Sequence, residues 1–212
     1  IFSMANEQQT ADIFDMEGKE KLFTFSSERS FDKETMRYKA IFKDLQGEVV
    51  AQESAEVTAG TLVKYEVERF TSKEKGLIEV KEGKLHFSYT EKGKTSAAKT
   101  NLNKNTLVSA MLVPFLTSHL DQIADDKDVE FGYAVWFRKE VVNFKFSLEK
   151  LDGNHVIAKM IPTNFLYRSL VKPIYFTLDK TTKKLISIKG RTLPKIQQGG
   201  AWRDFDGYSK YN

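Results

Sequence analysis

Val129-Glu130-Phe131-Gly132-Tyr133-Ala134-Val135-Trp136-Phe137 and, after Arg138-Lys139-Glu140, Val141-Val142-Asn143-Phe144-Lys145-Phe146-Ser147-Leu148-Glu149-Lys150 decide the fold class. In the first segment Val129, Phe131, Tyr133, Val135 and Phe137 share one face; in the second Val142, Phe144, Phe146 and Leu148 do. A period of two is the mark of a half-buried strand, and a short polar loop between two such runs makes an antiparallel hairpin.

The same pattern extends in both directions. Upstream, Phe23 and Phe25 share a face of a first strand, and Arg37–Phe42, Glu48–Thr58 and Leu62–Phe70 follow as strands. In the last of these Val63, Tyr65 and Val67 lie opposite Lys64, Glu66 and Glu68. Leu77–Val80, Lys84–Thr90 and Thr95–Thr100 form a meander turned at Lys81-Glu82-Gly83 and Lys92-Gly93, with Ala59-Gly60 turning the chain before it. Downstream, Asp152-Gly153-Asn154 turns into His155–Ile161, a short helical turn spans Phe165–Val171, and Ile174–Asp179 and Leu185–Arg191 are strands.

The alternation breaks once. After Asn101–Asn105, Thr106 is placed to cap a helix, and Leu107, Met111, Phe115, Leu116, Leu120 and Ile123 recur at helical spacing. Pro114 inside this run should kink it or split it in two. Strands at short spacing around one apolar helical segment give the expected architecture. It is a single, mainly β (α+β) domain over residues 19–193, an incomplete barrel of antiparallel strands wrapped around the helical segment. Residues 1–18 read as a signal-peptide remnant and flexible arm, and residues 194–212 as a surface tail.

The chain has 212 residues, 41% hydrophobic and 29% charged, which suits a globular domain with its own core. It contains no cysteine, so disulfides, thiolate chemistry and a lipidated N-terminal cysteine are excluded. The net charge of +4 conceals an asymmetry: residues 133–212 carry 15 Lys+Arg against 6 Asp+Glu, and residues 1–132 carry 18 against 23. A basic half of this kind can attract an anionic membrane surface. Only 7 of the 33 basic residues are Arg, which argues against a specific nucleic-acid reader, and no nucleic acid is expected as a partner. At the N-terminus, apolar Ile1-Phe2-Ser3-Met4-Ala5 ends in a small-x-small pattern before polar Asn6-Glu7-Gln8-Gln9. That is the form of a signal-peptide cleavage site near Ala5, and it implies a periplasmic protein.

Catalytic chemistry finds no motif. There is no Gly-x-Ser-x-Gly elbow, and His86, His119 and His155 lie far apart. Asp125, Asp126 and Asp128 lack the glycine and terminal glutamate of a calcium loop, and no His pair has zinc spacing, so no metal and no cofactor are expected. No Gly-rich loop joins a strand to a helix, which removes the common phosphate cradle. A sheet this rich in Phe beside an apolar helix either packs solid or leaves a cavity for an apolar ligand.

Met160-Ile161-Pro162-Thr163-Asn164-Phe165-Leu166-Tyr167-Arg168-Ser169-Leu170-Val171-Lys172-Pro173-Ile174, followed by the strand Leu185–Gly190, resembles a signature of an uncharacterised family of exported proteobacterial proteins. Tyr38–Asp44 with Gly47, the helix near Phe115 and the Phe131–Phe146 hairpin occur in that family's order, so the resemblance covers most of residues 20–193. Gln197–Asn212 lies outside it. The family is similar to the periplasmic lipoprotein carrier and receptor folds, which implies a role in binding a lipid or other apolar group in the cell envelope. On that reading, strand parity selects Phe115, Phe131, Tyr133, Phe144, Phe146 and Ile174 as the ligand-binding residues. The alternative is a structural or interaction protein that uses its basic C-terminal surface on anionic envelope components.

Overall fold

The computed structural model describes residues 7–169 and 171–212. The cleavage-site pattern at Ile1–Ala5 therefore lies outside the described residues. The N-terminal half is a meander of β1 (Glu7–Phe14), β2 (Lys21–Asp32), β3 (Thr35–Lys43), β4 (Val49–Thr58), β5 (Thr61–Arg69), β6 (Glu74–Lys81), β7 (Lys84–Glu91) and β8 (Lys94–Asn101). A two-residue strand, β9 (Thr106–Leu107), leads into the helices α1 (Ser109–Ser118) and α2 (Leu120–Ala124). The second half runs through β10 (Val129–Val135), β11 (Glu140–Asp152), β12 (His155–Pro162), α3 (Phe165–Arg168), β13 (Ile174–Asp179), β14 (Leu185–Gln198) and β15 (Ala201–Tyr211).

All these strands form one sheet in the order β8-β7-β6-β5-β4-β3-β2-β1-β15-β14-β13-β12-β11-β10-β9. Laid flat at roughly 4.8 Å per strand, its outer strands would stand more than about 60 Å apart. Yet β8 at one edge and β9 at the other are joined only by residues 102–105, a link that reaches about 18 Å fully extended. The sheet must roll up. Its edges pass one another instead of pairing, with β9 beside β5 and β8 beside β11, so the roll stays open along a seam. This is the incomplete barrel around a helical segment that the strand pattern predicts.

Local chemistry fits the roll. Ala59-Gly60, Glu82-Gly83 and Lys92-Gly93 put both residues at positive φ, as tight two-residue hairpins with the twist of their flanking strands require. Inside one end, α2 packs against β11 and β12. Leu116, Leu120 and Ile123 are fully buried there. The rings of Phe115, Phe131, Phe146 and Phe176 follow one another at centroid distances of 5.5, 4.9 and 5.4 Å. Across the seam, the turn after β10 lays Trp136 on Gly76 of β6, with Tyr89 of β7 edge-on at 5.5 Å and the Arg69 guanidinium 4.9 Å from its ring.

Several expectations need correction. The supposed arm is strand β1, held between β2 and β15. The supposed tail is the end of β14, the turn Gly199-Gly200 and β15, with the register shift of β14 falling between Arg191 and Lys195, around Pro194. Few residues of either strand are buried and apolar: Ala11 and Ile13 in β1 and Phe205 in β15. Their strand state comes from pairing, and polar composition concealed it. The pairing of β4 with β5 passes from Glu56 opposite Lys64 to Val57 opposite Leu62, so Val63 is a bulge residue of β5 and is exposed. β10 stops at Val135, so Trp136 turns inward and Phe137 outward. The helical run divides at His119, and Pro114 sits within α1. Thr106 does not cap that helix: it lies in β9 and its hydroxyl donates to the Asn103 carbonyl at 2.8 Å.

A Cβ on Gly76 would sit 2.4 Å from Cε3 of Trp136 and 2.7 Å from Cγ1 of Val67. Gly76→Ala is therefore expected to destabilise the protein by about 1–3 kcal/mol through overpacking. In urea unfolding, a Trp136→Leu background should shrink that cost, because the smaller side chain vacates the contact.

Candidate functional site

The end of the roll not filled by the phenylalanine cluster encloses a cavity of ≈ 330 Å³, at the small end of the range of about 300–1,000 Å³ for ligand pockets. Phe25, Phe42, Leu112, Phe144, Met160 and Ile188 give it an apolar wall. Exposed Phe137, Arg138, Lys172 and Arg191 form its rim, and buried Tyr38, Glu53 and Tyr65 lie deep inside. Next to Glu53 the inward positions of β3 and β4 are small: Ala40, Ala51 and Ala55 are all buried.

Two polar clusters interrupt this wall. In the first, Glu53 is 6% exposed. Its Oε2 accepts from Tyr65 Oη at 2.6 Å and from Ser109 Oγ of α1 at 2.5 Å, and Tyr65 and Ser109 lie 3.0 Å apart. Burial raises the Glu53 carboxyl above its ordinary value of 4.5, against the pull of the Ser109 and Tyr65 hydrogen bonds and the Arg29 charge. Burial likewise pushes the Tyr38 and Tyr65 phenols well up. The Arg29 guanidinium sits 5.0 Å over the Tyr38 ring.

The second cluster joins β5 and β6 to β14 across the roll. Arg69 Nε donates to the Leu193 carbonyl of β14 at 2.8 Å, and Lys195 Nζ reaches Glu74 Oε2 at 2.8 Å. Burial alone would raise Glu74, but the bonds from Lys195 and Ser72 and the Arg69 charge hold it at about 2. Its contribution to stability is complete above the ordinary 4.5 and is lost as pH falls toward that lower value.

Of the six residues chosen by parity, Tyr133, Phe144 and Ile174 stand on the cavity wall. Phe115, Phe131 and Phe146 do not; α1 and α2 cover their end of the roll, and they form its solid core. Sequence reasoning passed over Arg29, Glu53, Arg69 and Ser109. Three of these were legible: Arg29 is in phase with Phe23 and Phe25, Glu53 with Ala51 and Val57, and Arg69 with Tyr65 and Val67. A charge in phase with an inward apolar set is a buried charge. None of His86, His119 and His155 lines the cavity, and among the described residues no group of three or more His, Asp or Glu side chains could hold a metal ion. The basic excess of the second half is partly neutralised by the first, through Lys195–Glu74, Lys183–Asp121 and Lys145–Asp128.

No family model matches the chain, and no curated protein does. Among solved structures it is similar to a β-barrel-like protein of the domain of unknown function DUF1849 from Brucella abortus. The two share 10% identity, with 99% of this chain and 96% of that one covered and a TM-score of 0.46.

The raised Glu53 carboxyl sets the sign of a pH effect. The native state holds its proton more tightly than the unfolded chain, so stability falls as pH rises from 4.5 through the raised native value. Glu53→Gln keeps an acceptor for Tyr65 and Ser109 and cannot ionise. In denaturant unfolding, its stability relative to the parent protein is expected to improve from pH 4 to pH 8.

Proposed function

We propose that this chain is a non-catalytic binding or carrier protein of the cell envelope that takes a lipid or other apolar chain into its rolled sheet. One observation carries the reading: a cavity walled by Phe25, Phe42, Leu112 and Phe144 inside a sheet that is solid at its other end. Apolar surface left inside a rolled sheet gains by taking up apolar ligand surface and releasing water. The envelope location rests on the Ile1–Ala5 pattern. Delipidated protein is expected to bind a fluorescent fatty acyl probe saturably. Val113→Trp, which fills the cavity from α1, should weaken that binding about tenfold, or ~1.4 kcal/mol. Well-folded protein that takes up no probe would remove the reading.

A second reading attaches to the rim. Phe165 and Leu166 at the tip of α3 are 81% and 70% exposed, and Tyr167, Val171 and Lys172 just beyond them line the cavity. Arg138, whose guanidinium lies 5.4 Å over the Tyr167 ring, and exposed Lys172 flank this apolar tip, paired with Glu140 and Asp206. Apolar side chains flanked by basic ones suit an anionic bilayer surface, from which a lipid could enter directly. Binding to anionic vesicles should weaken steeply with salt and drop severalfold in Phe165→Ser/Leu166→Ser. Salt-independent binding, or none, would eliminate this docking mode.

A further inference from the structure

Four arginines reach the cavity wall: Arg29, Arg69, Arg138 and Arg191. Three have carboxylate partners. Arg69 pairs with Glu74 at 3.4 Å, Arg138 with Glu140, and Arg191 with Asp204 and Asp206 at 2.6 and 2.7 Å. Arg29 forms no salt bridge among the described residues, although it is 7% exposed. Its Nη1 has a long contact with Gln9 Oε1 at 3.5 Å, and its buried Nε has no hydrogen-bond partner. Glu53, close enough to act on it through charge, directs Oε2 to Tyr65 and Ser109.

A buried guanidinium with an unused donor is costly, and each such group in a folded protein calls for an explanation, a bound water, ion or ligand among them. Arg29 occupies the same wall as the apolar side chains of Phe25 and Phe42, so a molecule that reached it would also lie along them. Nε is enclosed by protein, so an incoming carboxylate would be met by the Nη end of the guanidinium, whose charge and donors suit it. A dianionic phosphate monoester fits less well, because its second charge would face Glu53 with no second unpaired cation on the wall.

We propose that Arg29 is an anion-binding residue that seats the carboxylate head of a long-chain carboxylate whose hydrocarbon tail fills the cavity. This inference rests on the apolar-ligand reading and adds the class of head group. The Tyr38 ring under the guanidinium holds it in place by cation–π attraction, and Gln9 limits its sideways movement.

The test compares a dansyl-labelled fatty acid, its methyl ester and an alkyl phosphate of the same chain length on delipidated full-length chain. The acid is expected to bind at least about tenfold more tightly than the ester. Arg29→Gln should reduce the acid to the ester's affinity and leave the ester unchanged, which also reports an intact cavity, and Arg29→Lys should restore part of the difference. Equal affinity of acid and ester in the parent protein would overturn the head-group assignment and leave the apolar cavity standing. Tighter binding of the phosphate would overturn the carboxylate class. If neither acid nor ester binds, the apolar-ligand reading falls and the Arg29 assignment with it. An acid preference left intact by Arg29→Gln would overturn the assignment to Arg29, and Arg29→Lys, which keeps the charge but not the planar fork, carries the same comparison where the Gln variant does not fold.

Discussion

Four residues, 102–105, connect the two outer strands of a fifteen-stranded sheet, and the rest of the architecture answers to that short link. A sheet whose edges are tied this closely has an inside. Once there is an inside, strand parity decides which side chains fill it. The helices that follow the link enter at one end and complete a phenylalanine core there; the cavity lies at the other end. Because the edges slide past one another, the seam needs other fastenings. Trp136 on Gly76 supplies one, and Arg69 on the Leu193 carbonyl with Lys195 on Glu74 ties β5 and β6 across the roll to β14.

The polar groups inside the roll are of two kinds. Around Glu74, each charge has a partner within ordinary hydrogen-bond or ion-pair reach, and such a cluster fixes geometry at modest net energetic gain. Around Arg29 and Glu53 the arrangement is incomplete. The carboxylate is supplied with hydroxyl donors and the guanidinium is left with an unused one. A fold built for stability alone would replace such a pair with apolar residues of similar volume. Both stand on the cavity wall and not in the apolar core, which is the placement the carboxylate-binding proposal rests on.

Much of this fold could be read from residue order. Twelve of the strands, the helical interruption and its neighbouring turns follow from alternation and Gly placement, because one face of each strand meets a core and the other meets water. β1 and β15 could not be read so. Their inward positions include Ser209 and Gly207, and what makes them strands is hydrogen bonding to partners far along the chain. Single-residue phase errors at Val63 and Phe137 came from a bulge and an early strand end, neither of which leaves a mark in a period of two. The site was half legible. Tyr133, Phe144 and Ile174 followed from parity, but parity cannot tell which end of a roll the helices will fill. The charges that matter most, Arg29 and Glu53, were visible as violations of an apolar phase and were passed over.

The joint between β1 and β15 differs in kind from every hairpin around it. It rests on the four register pairs from Ala11 with Tyr211 to Phe14 with Tyr208, between strands two hundred positions apart. Each hairpin can close from neighbouring residues, but this joint must wait until both meanders stand side by side, so in folding it forms late. Until it does, β1 and β14–β15 present bare edges whose complement exists on every other copy of the chain. An intermediate caught at that stage would pair with a second molecule through the same register it would later use on itself, exchanging identical halves. The closure of this joint is thus the folding step expected to depend on concentration.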